Sequence, residues 1–433
     1  MASEFFLPIW LSFLNFLSLS WWFWAFVILF WLAHDTWLTW RQHIYKHEIK
    51  WVFLEIKIPR ENLRSPQGME QVLSAIHAMG NYANDLQEIY WDGEVTRWNT
   101  FEMVSFGGEI HLYLRTIKSR RRIVEAAFFA YYPDVELVEV PDYTPNLPQN
   151  VKEVYAQGWD TWGGEMKLSK EGMYPIKSYH DFEAMEEERQ FDPISSFLEV
   201  LGKLNNDEFV GIQLHCAPVR NWDKHYEHQL YKLKEPKTKK EPKKGPEDLA
   251  KSFSRFIARS PGETDVLEAV ERNLSKPAFA TVIRFVYYSP VAGFSDTYPR
   301  RGILGAFNQY GVLDLNKFEI NYARATRAKF WNFPFFFPRR RNEYRKNRMI
   351  HDYVHREIDE HTIIGKLFNN YIMDSGFKMK TFPLNIEAVA TLFHPPTAPV
   401  LTTPHIQRIE SKKGSPPAGL PIFGEEKEIG EFK

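Results

Sequence analysis

His351 and His355 stand four residues apart, with Asp352 beside the first. On a helix that spacing puts both imidazoles on one face, where two such side chains can share a metal ion. His43 and His47 repeat it. Both pairs lie in charged or aromatic segments, where an amphipathic surface accounts for them equally well, and no metal is expected. Other chemistry-bearing patterns are missing from the sequence. There is no GxxxxGK(S/T) to cradle a triphosphate, no GxSxG, no HExxH and no CxxC. The single cysteine, Cys216, excludes an internal disulfide framework and reads as a small buried hydrophobe among apolar strand residues. No cofactor is expected, and the chain is not expected to be an enzyme.

Aromatic and basic side chains are concentrated instead. Aromatic residues make up 16% of the chain, with 14 Trp, of which Trp10, Trp21, Trp22, Trp24, Trp31, Trp37 and Trp40 fall in the first forty positions. No Lys, Arg, Asp or Glu occurs from Phe5 to Ala33. A bilayer core takes about 20 apolar residues in a helix, so this stretch predicts one transmembrane helix. Trp21, Trp22, Trp24, Trp37, Trp40 and Arg41 are then its membrane-interface residues. Arg41, Lys46 and Lys50 follow it, which by the positive-inside rule puts the N-terminus outside and the rest in the cytoplasm of a single-pass inner-membrane protein. A cleaved signal peptide fits poorly, since a basic n-region and a small-residue cleavage site are both missing; a helix lying in the membrane interface is the other alternative.

A second concentration lies near Arg324–Arg348. Phe330, Trp331, Phe333, Phe335, Phe336 and Phe337 are flanked by Arg324, Arg327, Lys329, Arg339, Arg340, Arg341, Arg345, Lys346 and Arg348. Three readings stay open. The block suits an anionic membrane surface, a stacking platform for single-stranded nucleic acid, or an aromatic core wedge beside a basic helix. Phe330, Trp331, Phe335, Phe336, Phe337, Arg339, Arg340 and Arg341 are its candidate lipid or nucleic-acid contacts. The formal net charge of -1 over 433 residues gives no general support for a nucleic-acid partner.

The elements that must position these residues follow from periodicity. Lys50–Ile58 alternates, with Val52, Leu54, Ile56 and Ile58 on one face. Ser65-Pro66 opens a helix carrying Met69, Val72, Leu73 and Ile76 inward. Trp98–Phe106 and Glu109–Ile117 are strands joined by Gly107-Gly108, a pair suited to a tight hairpin. Arg120–Tyr131 is helical, with Ile123, Ala126, Ala127 and Ala130 inward, and Asp134–Val140 is a strand. This β-α-β-β-α-β order is that of a ferredoxin-like sandwich. Asp192-Pro193 opens another helix, Phe209–Cys216 and Ala278–Tyr288 are strands, and Asp265–Leu274 and Pro299–Tyr310 are helices. The expected fold class is therefore α+β: one N-terminal transmembrane helix, then two ferredoxin-like domains, the second divergent with an insertion. The expected organisation is an anchor at 1–33, a juxtamembrane segment at 34–50, domains at 51–145 and 160–395, a Lys/Pro-rich loop at 234–247, and a tail at 396–433.

Four stretches carry a resemblance: FLEIKIPRENLRSPQGMEQVLSAIHAM (Phe53–Met79), FFFPRRRNEYRKNRMIHDYVHRE (Phe335–Glu357), LNIEAVATLFHPP (Leu384–Pro396) and IQRIESKKGSPPAGLPI (Ile406–Ile422). With the N-terminal segment they resemble the membrane-anchored N-terminal half of type IV secretion, or conjugative, ATPases of the TraG/TraD-like kind, in the form common in candidate-phylum bacteria. The resemblance implies a non-catalytic cytoplasmic platform for a P-loop ATPase encoded separately, or truncation of a longer chain before its motor. Its implied partners are the membrane, that ATPase or other secretion subunits, and further copies of itself. The alternative is a peripheral, lipid-organising scaffold unrelated to secretion.

Overall fold

The computed structural model describes residues 2–59, 64–183, 192–234, 261–295, 297–327, 337–358, 362–363, 381–397 and 408–409. In chain order its helices and strands are α1 (Ala2–Glu48), β1 (Trp51–Pro59), α2 (Gln67–Ala78), β2 (Asn99–Phe106), β3 (Glu109–Ile117), α3 (Arg121–Tyr131), β4 (Glu136–Glu139), α4 (Val151–Ala156), β5 (Trp159–Leu168), α5 (Tyr179–Glu183), α6 (Ser195–Gly202), β6 (Phe209–Val219), α7 (Trp222–Lys234), α8 (Pro261–Leu274), β7 (Ala278–Pro290), α9 (Thr297–Asn308), β8 (Phe318–Ile320), α10 (Pro338–His355), β9 (Phe382–Asn385), α11 (Ile386–Leu392) and β10 (Arg408–Ile409).

Strands β1 to β4 lie in the order β4-β1-β3-β2, all antiparallel. The β2–β3 turn uses Gly107 and Gly108 at φ +57° and +91°, positions that a residue with a Cβ would strain. Strands β5 to β8 repeat that order as β6-β7-β5-β8. The second hairpin is opened by a long insertion containing α7 and α8. The two halves then join edge to edge. Strand β2 pairs antiparallel with β6 from Asn99↔Cys216 to Phe106↔Phe209, and β9 adds to β7. Nine strands form one antiparallel sheet, with β10 a short parallel addition to β1.

One face of the sheet carries the main core. Ile56, Ile58, Phe101, Leu112, Leu114, Ile212, Leu214, Ile283 and Phe285 meet Val72 and Leu73 of α2, Phe128 of α3, Leu198 of α6, Phe307 of α9 and Val389 of α11. The opposite face is covered by α4 and α10 over Phe53, Val104, Tyr113, Phe209, Val286 and Tyr288.

The expected fold class is corrected on its membrane span. Among the described residues no helix is long and apolar enough to cross a membrane. Helix α1 runs for 47 residues, but Asn, Ser and Trp dilute its aliphatic content, and the amphipathic indole favours an interface over hydrocarbon. The two halves are also not separate sandwiches, because the β2–β6 seam makes them one sheet. Two smaller expectations change with it. Strand β1 buries Phe53 as well as Val52 and Leu54, because both sheet faces are covered. Helix α3 turns Val124, Ala127 and Phe128 inward and leaves Ile123 exposed, so its buried stripe is shifted from the expected one. The acidic run beyond Glu183, the Lys/Pro-rich loop beyond Lys234 and most of the tail lie outside the described residues.

The second face is close-packed at Gly211 of β6. A Cβ built there would lie 1.7 Å from the Tyr353 hydroxyl of α10. Gly211→Ala must push α10 off the sheet and is expected to lower stability by about 1–3 kcal/mol, read as a lower midpoint in urea unfolding followed by circular dichroism.

Candidate functional site

A row of polar residues crosses the middle of the second sheet face. Cross-strand register aligns Tyr113, Glu102, Gln213, Arg284 and Glu165 on β3, β2, β6, β7 and β5. Glu102, Gln213 and Arg284 have no solvent exposure and Glu165 has 2%. Buried charges need partners at hydrogen-bond distance, and the end of α10 supplies them. Arg284 donates to Glu165 Oε1 at 3.0 Å, to the Asp352 carbonyl at 2.6 Å and to the Glu357 carbonyl at 3.1 Å. Arg324 bridges Glu165 and the Asp352 carboxylate, and Arg348 pairs with Asp352 at 2.8 Å. Burial alone would raise the Asp352 pKa, yet Arg324, His351, Arg348 and Arg284 together hold it well below the usual carboxylate range.

Arg356 is the second node. Its backbone is left-handed at φ +55°, the C-cap of α10, a conformation that costs a residue with a Cβ about 1 kcal/mol or more. That turn aims the guanidinium at Glu102 and at Asp142, the latter at 2.7 and 3.0 Å. Tyr143 donates to Glu102 and shares a 2.7 Å hydrogen bond with Tyr353. Next to this node His215 is fully buried, with Nδ1 at 3.1 Å from Thr100 Oγ1 and Nε2 without a hydrogen-bond partner among the described residues. Burial, then the cations Arg284, Arg356 and Arg115, push its pKa well below 6.5. Every carboxylate of this band is engaged by arginine, so its chemistry is that of a lock holding α10 to the sheet.

A second cluster joins helices on the main core face. Glu70 of α2, His180 of α5 and Glu387 of α11 bring ligand-type atoms within 4.8 Å of one another, a donor set able to hold a divalent metal. Lys276 already stands between the carboxylates, its Nζ 2.7 Å from Glu70 and 2.6 Å from Glu387. Tyr179 donates to Glu70 at 2.7 Å and Arg272 reaches Glu387 at 3.2 Å. A metal would have to displace an ammonium that balances both charges, so the arrangement fits a lysine clamp better than a metal centre.

Helix α1 is fastened to the body by a stripe of polar and aromatic contacts and by a buried hydrogen bond of Thr39 to Thr362 at 2.7 Å. Trp37 donates to the Tyr90 carbonyl at 2.9 Å, Arg41 donates to the Trp91 carbonyl, and Tyr45 contacts Glu94 and Arg97. Gly93, at φ +66°, lets the backbone pass against Arg41, where a Cβ would lie 2.5 Å from its carbonyl carbon. The Trp37 and Trp40 rings lie 5.3 Å apart, tilted by 54°, beside this dock. Trp21, Trp22 and Trp24 lie farther along α1 and are 66%, 63% and 45% exposed. Of the six expected interface residues, Trp37 and Arg41 are hydrogen-bonded to the body, while Trp37 and Trp40 keep 40% and 52% of their surface exposed, as do the more distant indoles.

In the aromatic–basic block, Phe330, Trp331, Phe335 and Phe336 lie outside the described residues. Phe337 is exposed in a left-handed conformation at the start of α10, Arg339 and Arg340 are exposed, and Arg341 is buried. His351 and His355 stack at 4.3 Å on α10, with His355 Nδ1 on the His351 carbonyl. Sequence reasoning missed the polar band, although Glu102, Gln213, Arg284 and Glu165 each interrupt an apolar strand pattern.

A family model described as a domain of unknown function, DUF8128, matches residues 38–317. The chain belongs to the DUF8128 family. The match begins at the docked stripe of α1 and takes in both sheet halves as far as the loop before β8, so the β2–β6 seam and most of the polar band fall inside it. No curated protein matches this DUF8128 chain.

Removing one partner of a buried ion pair leaves the other charge stranded. Arg356→Met is therefore expected to cost about 3–5 kcal/mol in urea unfolding, and Glu102→Gln with Arg356→Met together should cost less than the two single changes summed. His215 gives a separate pH signature. Its folded pKa lies below 6.5, so the unfolded chain takes up the proton first as pH falls. Stability from this residue is present above pH 6.5 and is lost below it. His215→Gln should flatten the pH–stability curve below that point by up to about 1.4 kcal/mol per pH unit, measured by unfolding across a pH series.

Proposed function

We propose that the chain is a non-catalytic platform subunit that associates with a membrane surface and presents its sheet body to a P-loop ATPase of a type IV secretion-like system. The observation that carries this reading is the exposed aromatic run of α1. Leu19, Trp21, Trp22, Phe23, Trp24, Phe26, Val27, Ile28, Leu29, Phe30 and Trp31 are all exposed. An apolar surface of that extent is costly in water, at about 25 cal/mol per Å², and marks an interaction site. Its richness in Trp suits the headgroup level of a bilayer. The body behind it is held rigid by the arginine lock and the lysine clamp, as a platform requires. The ATPase as partner rests on the four resembling stretches.

Flotation of the full chain with phosphatidylethanolamine–phosphatidylglycerol vesicles tests the membrane part. The protein should float, and Trp21→Ser/Trp22→Ser/Trp24→Ser should weaken partitioning by about tenfold or more. A chain that stays at the bottom of the gradient sinks this reading. Affinity purification from membranes tests the partner. Recovery of a P-loop ATPase supports the platform, whereas vesicle binding without it returns the protein to a lipid-organising scaffold.

A further inference from the structure

The foot of α1 forms a basic pocket of about 480 Å³ where the helix turns into β1. Lys50, Arg97, Lys118 and Ser119 line it, with Tyr45 on one wall and the exposed carboxylate of Glu48 at the end of α1. The pocket is fixed by the main chain and by one ordered cation. The Lys118 amide donates to the Lys50 carbonyl at 2.8 Å, which holds their side chains to one site. Arg97 donates to the Tyr45 hydroxyl at 2.9 Å and lies 5.5 Å from the Tyr45 ring centre. No ion pair engages Lys50, Arg97 or Lys118 among the described residues. Arg120 stands behind them, its pKa lowered by burial and then by the nearness of Arg97. Several cations thus share one concave site with the exposed carboxylate of Glu48, and Glu94 reaches Arg97 through the Tyr45 hydroxyl, which leaves Lys50 and Lys118 without a direct acid partner among the described residues, unlike the cations of the arginine lock.

We propose that this pocket binds a phosphate ester, the headgroup phosphate of an anionic phospholipid. Three features select that class. The lining offers ammonium, guanidinium and hydroxyl donors suited to phosphate oxygens. Ile49 and Ile117 give the same pocket an apolar wall, which suits the glycerol end of a lipid. Trp40, half-exposed, lies only five residues before Tyr45 on α1, about 7 Å of helix rise. The pocket therefore stands within about two turns of an exposed indole, at the base of the helix that carries the aromatic surface assigned to lipid. The inference rests on that reading for the lipid source but not for the phosphate chemistry.

Binding of the full chain to phosphatidylcholine vesicles, to phosphatidylcholine–phosphatidylglycerol vesicles and to soluble glycerol 3-phosphate tests it. The intact protein should prefer the phosphatidylglycerol vesicles by about tenfold or more, as basic residues near a lipid surface add about 1 kcal/mol each. Lys50→Gln/Arg97→Gln/Lys118→Gln should remove that preference while leaving binding to phosphatidylcholine unchanged. Lys50→Gln/Lys118→Gln changes only exposed side chains and should lose part of it, which guards against misfolding of the triple variant. Lys152→Gln/Lys224→Gln/Lys232→Gln makes the same charge change elsewhere and should keep the preference. Equal losses in the two triple variants, or retention in the pocket variant, overturn the proposal. If the protein binds neither vesicle but binds glycerol 3-phosphate through the pocket, the lipid source and the membrane reading fail and the phosphate site stands. Binding to none of the three probes overturns the site, and pocket-independent binding to phosphatidylcholine leaves only the aromatic helix at the membrane.

Discussion

Strands β2 and β6 are each the open edge of their own four-stranded half, and they pair with each other over their full facing lengths. An edge left open shows a row of unpaired amides and carbonyls to other chains. The seam removes both edges at once. It also brings the second faces of both halves together under one pair of helices, α4 and α10. On an isolated four-stranded half, Thr100 and Glu102 would stand on a solvated face. In the joined sheet they are fully buried.

That burial explains the concentration of arginines. A carboxylate at Glu102 or Glu165 in the centre of a sheet loses its hydration, and only charged donors at close range offset the loss. Arg284 comes from the sheet itself, Arg324 from the segment after β8, and Arg356 from the last turn of α10. A buried ion network of this kind contributes less net stability than an apolar core of equal volume. It does require one register. Sliding α10 by a single residue would turn Asp352 and Arg356 away from their partners and leave the buried charges of the sheet unpaired. The left-handed backbone at Arg356 is strain that this network holds in place.

How much of this was legible in the sequence depended on whether a signal was local. The hairpin at Gly107-Gly108, the helix after Ser65-Pro66 and the strand at Ala278 follow from turn chemistry and periodicity, and each lies where the pattern puts it. The edge-to-edge joining of the halves has no local signature, since β2 reads the same as an edge or a central strand. Without the seam, alternation in β1 implies one wet face, and Phe53 is assigned to it. The shifted stripe of α3 has a similar cause. Ile123 is more apolar than Val124, but the packing of α3 on α2 and β4 selects Val124 and Phe128. The polar band did leave a trace, an Arg, Gln or Glu inside otherwise apolar strands. Its meaning depended on knowing which residues face one another across five strands, and that is information in the register, not in any one segment.

Helix α1 shows how one element can serve two environments. Trp37, Arg41 and Tyr45 recur every four residues, so they form one stripe against the body, and on another side Thr39, buried with Gln42, shares a 2.7 Å hydrogen bond with Thr362. The residues between them remain partly free, which leaves Trp40 exposed within the docked half. Toward the N-terminus the stripe ends, and from Trp31 back to Leu19 large apolar side chains point outward on all sides. A continuous helix transmits position over that length at about 1.5 Å per residue, so fastening its base through Trp37, Thr39, Arg41 and Tyr45 fixes where the whole aromatic run stands. The basic pocket lies at that same base. The dock therefore sets the spacing between the aromatic surface and the cations of the pocket, and a substitution at Trp37 or Arg41 would alter both.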